Sequence, residues 1–581
     1  MKRNVLLLAL VMQSALSYGQ LFTKVTTGPV VTTGGDSRSV NFVDLNKDGW
    51  DDIFITNGPE AGGVSFFYEN NGDGSFTKLA GDDLVTTSAP YDGATMADAD
   101  NDGDIDVLAV TWFDKKDYFF QNNGDGTFTN LTTSVLSSNN GYSETASWGD
   151  YDNDGWVDTY VSNSGGDFKN FLFHNNGDGS FTKIASGIVT TDVATSRGVT
   201  WADYDNDGDA DLYVTNEDSE PNNLYKNDEG VFTKITTGPL VSDNRSTMSA
   251  SWGDVDNDGD LDVYTANSGN YVTQKNQLYI NDGAGSFTEI TSGDAVTDNG
   301  CSFSSSFADY DNDGDLDLVV SNGFCNGTIT NFLYLNNGSG VFERDLNSIS
   351  DLSTPCSYGC AWGDANNDGF QDLVLATCKN TSTGSNPDDI FYMNNGNGNH
   401  WIKISLTGTE SNKSAIGARV KIKATINGNT VWQLREITAQ SGYCSQNSLT
   451  AHFGLGSATS VDSMIVQFPA GNDTVLLNVA ADQQILVTES SVTGVENVKN
   501  YASISCFPNP AHDSFFILLG NRFLMDEKTI RLYDVTGNLV SEVVLASGIS
   551  VMEFTNPIPA GMYIVEAQTK NNREQIKLIV E

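Results

Sequence analysis

The stretch Asp309-Tyr310-Asp311-Asn312-Asp313-Gly314-Asp315-Leu316-Asp317 puts an aspartate at every odd position of nine residues. It is one of seven copies. The others read DLNKDGWDD from Asp44, DADNDGDID from Asp98, DYDNDGWVD from Asp150, DYDNDGDAD from Asp203, DVDNDGDLD from Asp254 and DANNDGFQD from Asp364. Successive copies begin about fifty residues apart. A fixed period of this length marks a repeat architecture, in which no unit can bury its faces alone and neighbours must stack.

Each copy has the same surroundings. Small and aromatic residues precede it, as in Ala146 to Asp150 (ASWGD) and Ser305 to Asp309 (SSFAD). A short apolar run follows, such as DIFITN, DLYVTN or DLVVSN. Then comes a turn between two further strands, as in Phe67 to Leu79 and Phe171 to Ile184, where Asn-Gly and Asp-Gly pairs give a hairpin signal. No segment has a helical period. Four short strands per repeat describe a propeller blade, so the expected fold is all-β, with a seven-bladed β-propeller over residues 20–399. Leu21 to Val31 (LFTKVTTGPVV) matches Val231 to Val241 (VFTKITTGPLV), the last strand of its own repeat. The N-terminal strand is therefore expected to complete blade seven and remove an open edge. The alternative is that Trp401 to Leu406 fills that place.

Side-chain oxygens stand at positions 1, 3, 5 and 9 of each loop, and position 7 varies as a backbone-carbonyl ligand would. The candidate ligand sets are Asp44, Asn46, Asp48, Trp50 and Asp52; Asp98, Asp100, Asp102, Asp104 and Asp106; Asp150, Asp152, Asp154, Trp156 and Asp158; Asp203, Asp205, Asp207, Asp209 and Asp211; Asp254, Asp256, Asp258, Asp260 and Asp262; Asp309, Asp311, Asp313, Asp315 and Asp317; and Asp364, Asn366, Asp368, Phe370 and Asp372. Hard oxygen donors on a loop turned by glycine suit Ca²⁺, giving an expectation of about seven structural calcium sites. An EF-hand would need glutamate at position 12, where the copies carry Ile55, Ala109, Val161, Val214, Thr265, Val320 and Leu375. The bland alternative is a set of solvated Asp-rich turns. Against it, several carboxylates on one short loop repel each other unless a cation joins them.

These residues resemble the FG-GAP/VCBS propeller repeats, also found in integrin α-subunit heads, over about residues 21–398. That resemblance implies a seven-bladed propeller with calcium between the first two strands of each blade. Residues 400–489 break the repeat. Ala415-Ile416-Gly417-Ala418-Arg419-Val420, Ser445-Gln446 and His452-Phe453-Gly454-Leu455-Gly456 resemble the ASPIC/UnbV domain, as in proteins similar to cartilage acidic protein. Its alternation reads as a small β-domain. His400, His452, Arg419, Arg435 and Glu436 either line a polar pocket there or make fold-stabilising hydrogen bonds and salt links. After a polar linker at 490–500, Pro508-Asn509-Pro510, Asp534-Val535-Thr536-Gly537, Gly561-Met562-Tyr563 and Lys577 to Val580 resemble the type IX secretion sorting domain of the Bacteroidota. This implies a C-terminal β-sandwich at 501–581 that acts as an export address read by the type IX secretion machinery.

Residues 1–19 read as a signal peptide, with Lys2 and Arg3 before the apolar Val5 to Val11 and a small-residue site at Ser17-Tyr18-Gly19. No later run is long and apolar enough for a transmembrane segment. The net charge of −46 opposes nucleic-acid and anionic-membrane partners. Six cysteines fall between Cys301 and Cys444, and Cys506 is a seventh. In an exported chain the six read as disulfides of undetermined pairing, with a Cys356–Cys360 metal or redox pair as the alternative. There is no Gly-x-Ser-x-Gly elbow with a plausible triad, zinc-spaced His/Cys set or phosphate loop. His174 reads as a solvated strand residue. The functional expectation is a non-enzymatic binding or adhesion protein for an extracellular glycan, protein or matrix ligand. The alternatives are a polysaccharide-active enzyme and a structural surface component.

Overall fold

The computed structural model describes residues 20–489 apart from 59, 270–271, 326–328, 350, 355 and 380–382, and beyond them 504–507, 515–519, 528–545, 551–554, 558–570 and 573–580. Residues 1–19, expected as a signal peptide, the linker at 490–500 and Pro508-Asn509-Pro510 lie outside the described residues. The described chain is dominated by strands, and its three α-helices are single turns, Asp83–Thr86, Ile188–Thr191 and Asp294–Thr297.

Seven antiparallel sheets follow one plan. In the first, Ser37–Val43, Asp52–Asn57, Phe66–Asn70 and Phe76–Lys78 pair in chain order, with the acidic loop joining the first two strands. The seventh sheet holds Ser357–Gly363, Asp372–Thr377 and Ile390–Asn394, and its fourth strand is Phe22–Lys24 from the other end of the repeat region. Phe22 stands opposite Asn394 and Lys24 opposite Tyr392, antiparallel. Trp401 to Leu406, the alternative for that edge, instead lies in His400–Thr407, which pairs with Ala451–Gly456 and Gln483–Thr488 of the next domain. The first strands of successive sheets pack side by side, and Ser357–Gly363 of the seventh packs against Ser37–Val43 of the first.

Apolar residues interdigitate between neighbouring sheets. Val40, Phe42 and Ile53 of the first cluster with Ala361, Val374 and Phe391 of the seventh, all buried. Every first strand also has a register shift near its start, as between Ser37 and Val40 or Ser143 and Ala146. Such bulges re-aim a side chain.

Residues 400–489 form a three-stranded and a four-stranded sheet. Their buried residues, among them Ile402, Ala415 and Phe453, run continuously into Ala99, Leu108 and Trp148 of the second and third repeat sheets. The last region has a three-stranded and a four-stranded sheet whose buried residues, including Ile517, Leu532 and Val565, form one cluster. Cys301 pairs with Cys325 and Cys356 with Cys378. The expectation of disulfides thus holds for four of the six cysteines: Cys360 and Cys444 are buried free thiols, and Cys356 is not available as a partner for Cys360.

Candidate functional site: seven acidic loops and the domain that covers them

All seven loops share one local conformation. The fourth residue (Lys47, Asn101, Asn153, Asn206, Asn257, Asn312 and Asn367) has φ between 53° and 60°, left-handed backbone that asparagine tolerates. The sixth, always glycine, has φ between 85° and 105°, which a β-carbon would strain. This turn folds the loop back on the first carboxylate. Asp150 accepts the Asp154 N–H and the Gly155 N–H, each at 3.0 Å, and Asp309 does the same with Asp313 and Gly314.

The ninth carboxylate ties the loop to the third strand. Asp52, Asp106, Asp158, Asp211, Asp262, Asp317 and Asp372 accept the backbone N–H of Asn70, Asn122, Asn175, Asn227, Asn281, Asn336 and Asn394 at 2.7–2.9 Å. The side chains of those same asparagines donate to the second-position carbonyl of the preceding loop. Asn122 reaches Leu45 at 2.9 Å and Asn175 reaches Ala99 at 2.7 Å; Asn70 reaches Ala365 of the seventh loop at 2.8 Å. A second chain of bonds runs the other way. Asn101 donates to the Gly155 carbonyl (2.9 Å), Asn153 to Asp209 (2.7 Å), Asn312 to Gly369 (3.0 Å) and Asn367 to Gly49 of the first loop (3.1 Å). The seventh-position side chains Asp209, Asp260 and Asp315 accept bonds from neighbouring loops, and Asp104 pairs with Lys47. The sequence reading missed both asparagine series. Their signal is a recurring Asn, at the end of the third strand just before the hairpin turn in one series and, except for Lys47, at the fourth loop position in the other.

What remains is carboxylate oxygen without a partner. In the sets Asp98/Asp100/Asp106, Asp150/Asp152/Asp158, Asp203/Asp205/Asp211 and Asp254/Asp256/Asp262, one oxygen of each residue lies within 4.8 Å of the others. Asp98 Oδ1, Asp152 Oδ1, Asp205 Oδ1, Asp211 Oδ2 and Asp256 Oδ1 are buried with no hydrogen-bond partner. Burial pushes Asp98 up to about 7. Burial also pushes Asp150 up to about 8, with the charges of Asp158 and Asp154 adding to it. His174 is not a solvated strand residue. It is half-buried, with Nδ1 3.2 Å from Asp158 and 3.4 Å from Asp152, because alternate residues of the third strand face the loop.

The domain at 400–489 docks on this acidic-loop face. Lys403 Nζ lies 2.7 Å from Asp364 and 2.6 Å from Asn367, Arg419 Nη1 2.9 Å from Asp203, and His452 Nε2 2.9 Å from the Gly369 carbonyl. The Gly454 N–H donates to Asp309 at 3.0 Å. Arg435, Glu436 and His452 line a cavity of about 130 Å³ beside Trp252 and Leu434. His400 instead pairs with Asp482 at 2.7 Å, both partly exposed. Between these contacts the domain sends Ala439 to Ser448 inward among the first strands. Gln446 exchanges side-chain bonds with Met96 N–H and carbonyl (2.8 and 3.1 Å), Asn447 accepts the Trp362 N–H (2.9 Å), and Tyr443 donates to Asp92 or Glu144 (2.9 and 2.6 Å). Gly442 allows this entry, with φ of 70° and a β-carbon position 2.2 Å from the Ser305 carbonyl.

Tyr443 ends inside a ring made by the second residue of each first strand: Arg38, Asp92, Glu144, Arg197, Met248, Phe303 and Tyr358. Arg197 lies 2.6 Å from Glu144, and the Arg38 guanidinium 4.4 Å from the Tyr358 ring centre. Burial pushes Asp92 well up, and the Glu144 charge adds to it. In Glu144 burial is the largest single effect and acts upward, but the Arg197 guanidinium together with hydrogen bonds to Asp92, Ser164 and Tyr443 holds the group down. Beyond this ring, the links between second and third strands carry Phe113, Phe168 and Phe324 at φ of 63°, 58° and 52°, and Phe168 is exposed. Left-handed backbone is uncommon for bulky residues and marks local strain.

Three family models match the chain: FG-GAP-like repeat at 44–109, 98–161, 150–214, 204–265 and 254–320; ASPIC and UnbV at 408–494; and secretion system C-terminal sorting domain at 505–581. Cartilage acidic protein 1 of Homo sapiens is 26% identical over 57% of this chain and 41% of its own length. The Xenopus tropicalis protein is 27% identical over 54% and 40%. The chain thus spans less than half the length of these curated relatives. Among solved structures, YCF48 from Cyanidioschyzon merolae is similar at 8% identity and TM-score 0.38, over 64% of this chain and 98% of that one. Rhamnogalacturonan lyase YesW is similar at 15% identity and TM-score 0.36, over 64% and 76%. No helix of the described residues is long and apolar enough to cross a membrane. The sorting domain marks a secreted or surface protein. The chain carries FG-GAP-like repeats, an ASPIC and UnbV domain and a secretion-system C-terminal sorting domain, in that order.

Proposed function

We propose that this is an exported calcium-binding, seven-bladed β-propeller that acts as a binding or adhesion module outside the cell. The observation that carries the calcium reading is the set of buried, partnerless carboxylate oxygens converging within the second, third and fifth loops, where no lysine or arginine among the described residues bonds the first, third or fifth carboxylate. When bound, the ion neutralises those carboxylates and fixes each loop between its strands. The chain's own residues prepare the place: the left-handed Asn-x-Gly turn aims the first, third and fifth side chains inward. The inter-loop asparagines tie each site to the next.

The binding reading rests on which face is left free. The acidic-loop face is covered by the ASPIC and UnbV domain, whose 439–448 segment fills the axis. The opposite face keeps its loops, with aromatic side chains held in strained backbone around a ring of arginines and carboxylates. Rigid scaffolds with such loops suit recognition, and aromatic faces flanked by polar groups suit a glycan. The test is a glycan array probed with the protein in calcium, alongside F113A and F168A. Binding lost in both variants supports this face, whereas binding unchanged in both places the ligand elsewhere.

We also read the chain as not an enzyme. Asp92 and Glu144 are the obvious acid pair, but both are buried and engaged in holding Tyr443. Polysaccharide cleavage by the purified protein that disappears in D92N would overturn this.

A further inference from the structure

The seven loops are not equivalent, and the residue facing each from the third strand differs: Glu69, Gln121, His174, Lys226, Ile280, Leu335 and Met393. In the fourth repeat this residue is a lysine. Its Nζ bonds to Asp205 and lies 2.9 Å from Asp207 Oδ2. On the other side of the same loop, Arg419 Nη1 sits 2.9 Å from Asp203 Oδ2, both side chains being 9% exposed. The carboxylates at positions 1, 3 and 5 therefore each carry a cationic group of the protein. The backbone departs as well. In the other six loops the second residue donates its N–H to the ninth carboxylate, from Leu45, Ala99, Tyr151, Val255, Tyr310 and Ala365. Tyr204 instead donates to the Ala202 carbonyl at 3.0 Å, so Asp211 Oδ2, like Asp205 Oδ1, is buried without a hydrogen-bond partner, and it is the Lys226 and Arg419 charges on the neighbouring carboxylates that set this loop apart.

Elsewhere the facing residue leaves room for a metal. Gln121 donates to Asp100 at 2.6 Å without adding charge, and Ile280, Leu335 and Met393 bring no polar hydrogen. His174 offers a ring nitrogen that can exchange its proton for a metal, as metal-binding imidazoles do. An ammonium among carboxylates has no lone pair to offer and would stand beside the ion as a like charge. In the seventh loop Lys403 reaches Asp364 and Asn367 but not Asp368.

From this we infer that the fourth loop takes no calcium: Lys226, with Arg419, is its built-in cation, so this blade holds its shape when the other loops are stripped of metal. The inference rests on the calcium reading of the remaining loops. The probe is calcium itself, counted per chain by equilibrium dialysis of the whole protein at saturating metal, for wild type and K226Q, which places in blade four the residue type that blade two already has. K226Q should bind one more calcium than wild type. An equal, non-zero count would overturn the inference and leave the calcium reading standing; no bound calcium in either would overturn both. Should K226Q not fold, anomalous-scattering maps of wild-type crystals grown in calcium decide. Peaks in the second and fifth loops without one in the fourth support the inference. A peak between Asp203, Asp205 and Asp211 overturns it.

Discussion

At the scale of single residues, the groups that matter most beside the aspartates are those that join one loop to the next. Asn175 is fully buried. It donates two side-chain bonds, to Ala99 of the preceding loop and Val157 of its own, while its N–H binds Asp158. Removing the amide strands two buried carbonyls, each at a cost of about 1–3 kcal/mol. N175A should therefore lower stability by roughly 2–5 kcal/mol in urea unfolding, and a loss below about 1 kcal/mol would mean water replaces the amide. His452 makes a pH prediction. Burial pushes its imidazole down to about 3 in the fold, against about 6.5 when unfolded. As pH falls below about 6.5 the unfolded chain takes up a proton that the folded chain refuses, so stability present above that pH is lost on the way towards 3. Between pH 7 and 5, wild type should lose about 2 kcal/mol more than H452Q, which keeps a donor for Gly369. Parallel pH curves would show that the imidazole is not held neutral.

At the scale of elements, the N-terminal strand Phe22–Lys24 closes the seventh sheet. Phe22 is buried against Tyr310 and Trp362, with ring centres 5.5 and 6.1 Å away. F22A should cost about 3–5 kcal/mol, and removal of residues 20–31 should lower the melting temperature further by opening the edge of Ile390–Asn394. An unchanged melting temperature would remove the strand from the sheet. This closure was legible because Leu21 to Val31 repeats Val231 to Val241 almost letter for letter. The repeat, the strand plan and the turn glycines were legible for the same reason: each is local and recurs seven times. What was not legible is non-local. Ala439 to Ser448 gives no such signal, since its partners are backbone and carboxylate groups of strands as much as 351 residues earlier and leave no period in its own sequence. The disulfides were hidden likewise: Cys301–Cys325 and Cys356–Cys378 are one repeat apart and equivalent, but six cysteines admit many pairings. Arg38, Asp92, Glu144 and Arg197 escaped notice because a bulge, absent from any simple alternation, turns them to the axis.

At the scale of the whole molecule, the ASPIC and UnbV domain and the repeats behave as one structure, joined by charged contacts on the acidic-loop face and by the segment along the axis. Lys403 and Asp364 are 6% and 2% exposed. Breaking a buried pair leaves an unpaired charge, at about 3–5 kcal/mol. K403M should therefore destabilise repeats and domain together in one transition. A separate early melt of the domain alone would show that the two fold independently. The acidic loops set the larger balance. Without metal their carboxylates repel, and the buried oxygens stay bare; with metal, each occupied site at a hundredfold excess over its Kd adds about 2.7 kcal/mol. The most direct test of this account is thermal melting of the chelator-stripped protein as calcium is added, with bound metal counted alongside. The account predicts several ions per chain and a rise of about 10 °C or more. No bound calcium and an unchanged melting temperature would contradict it.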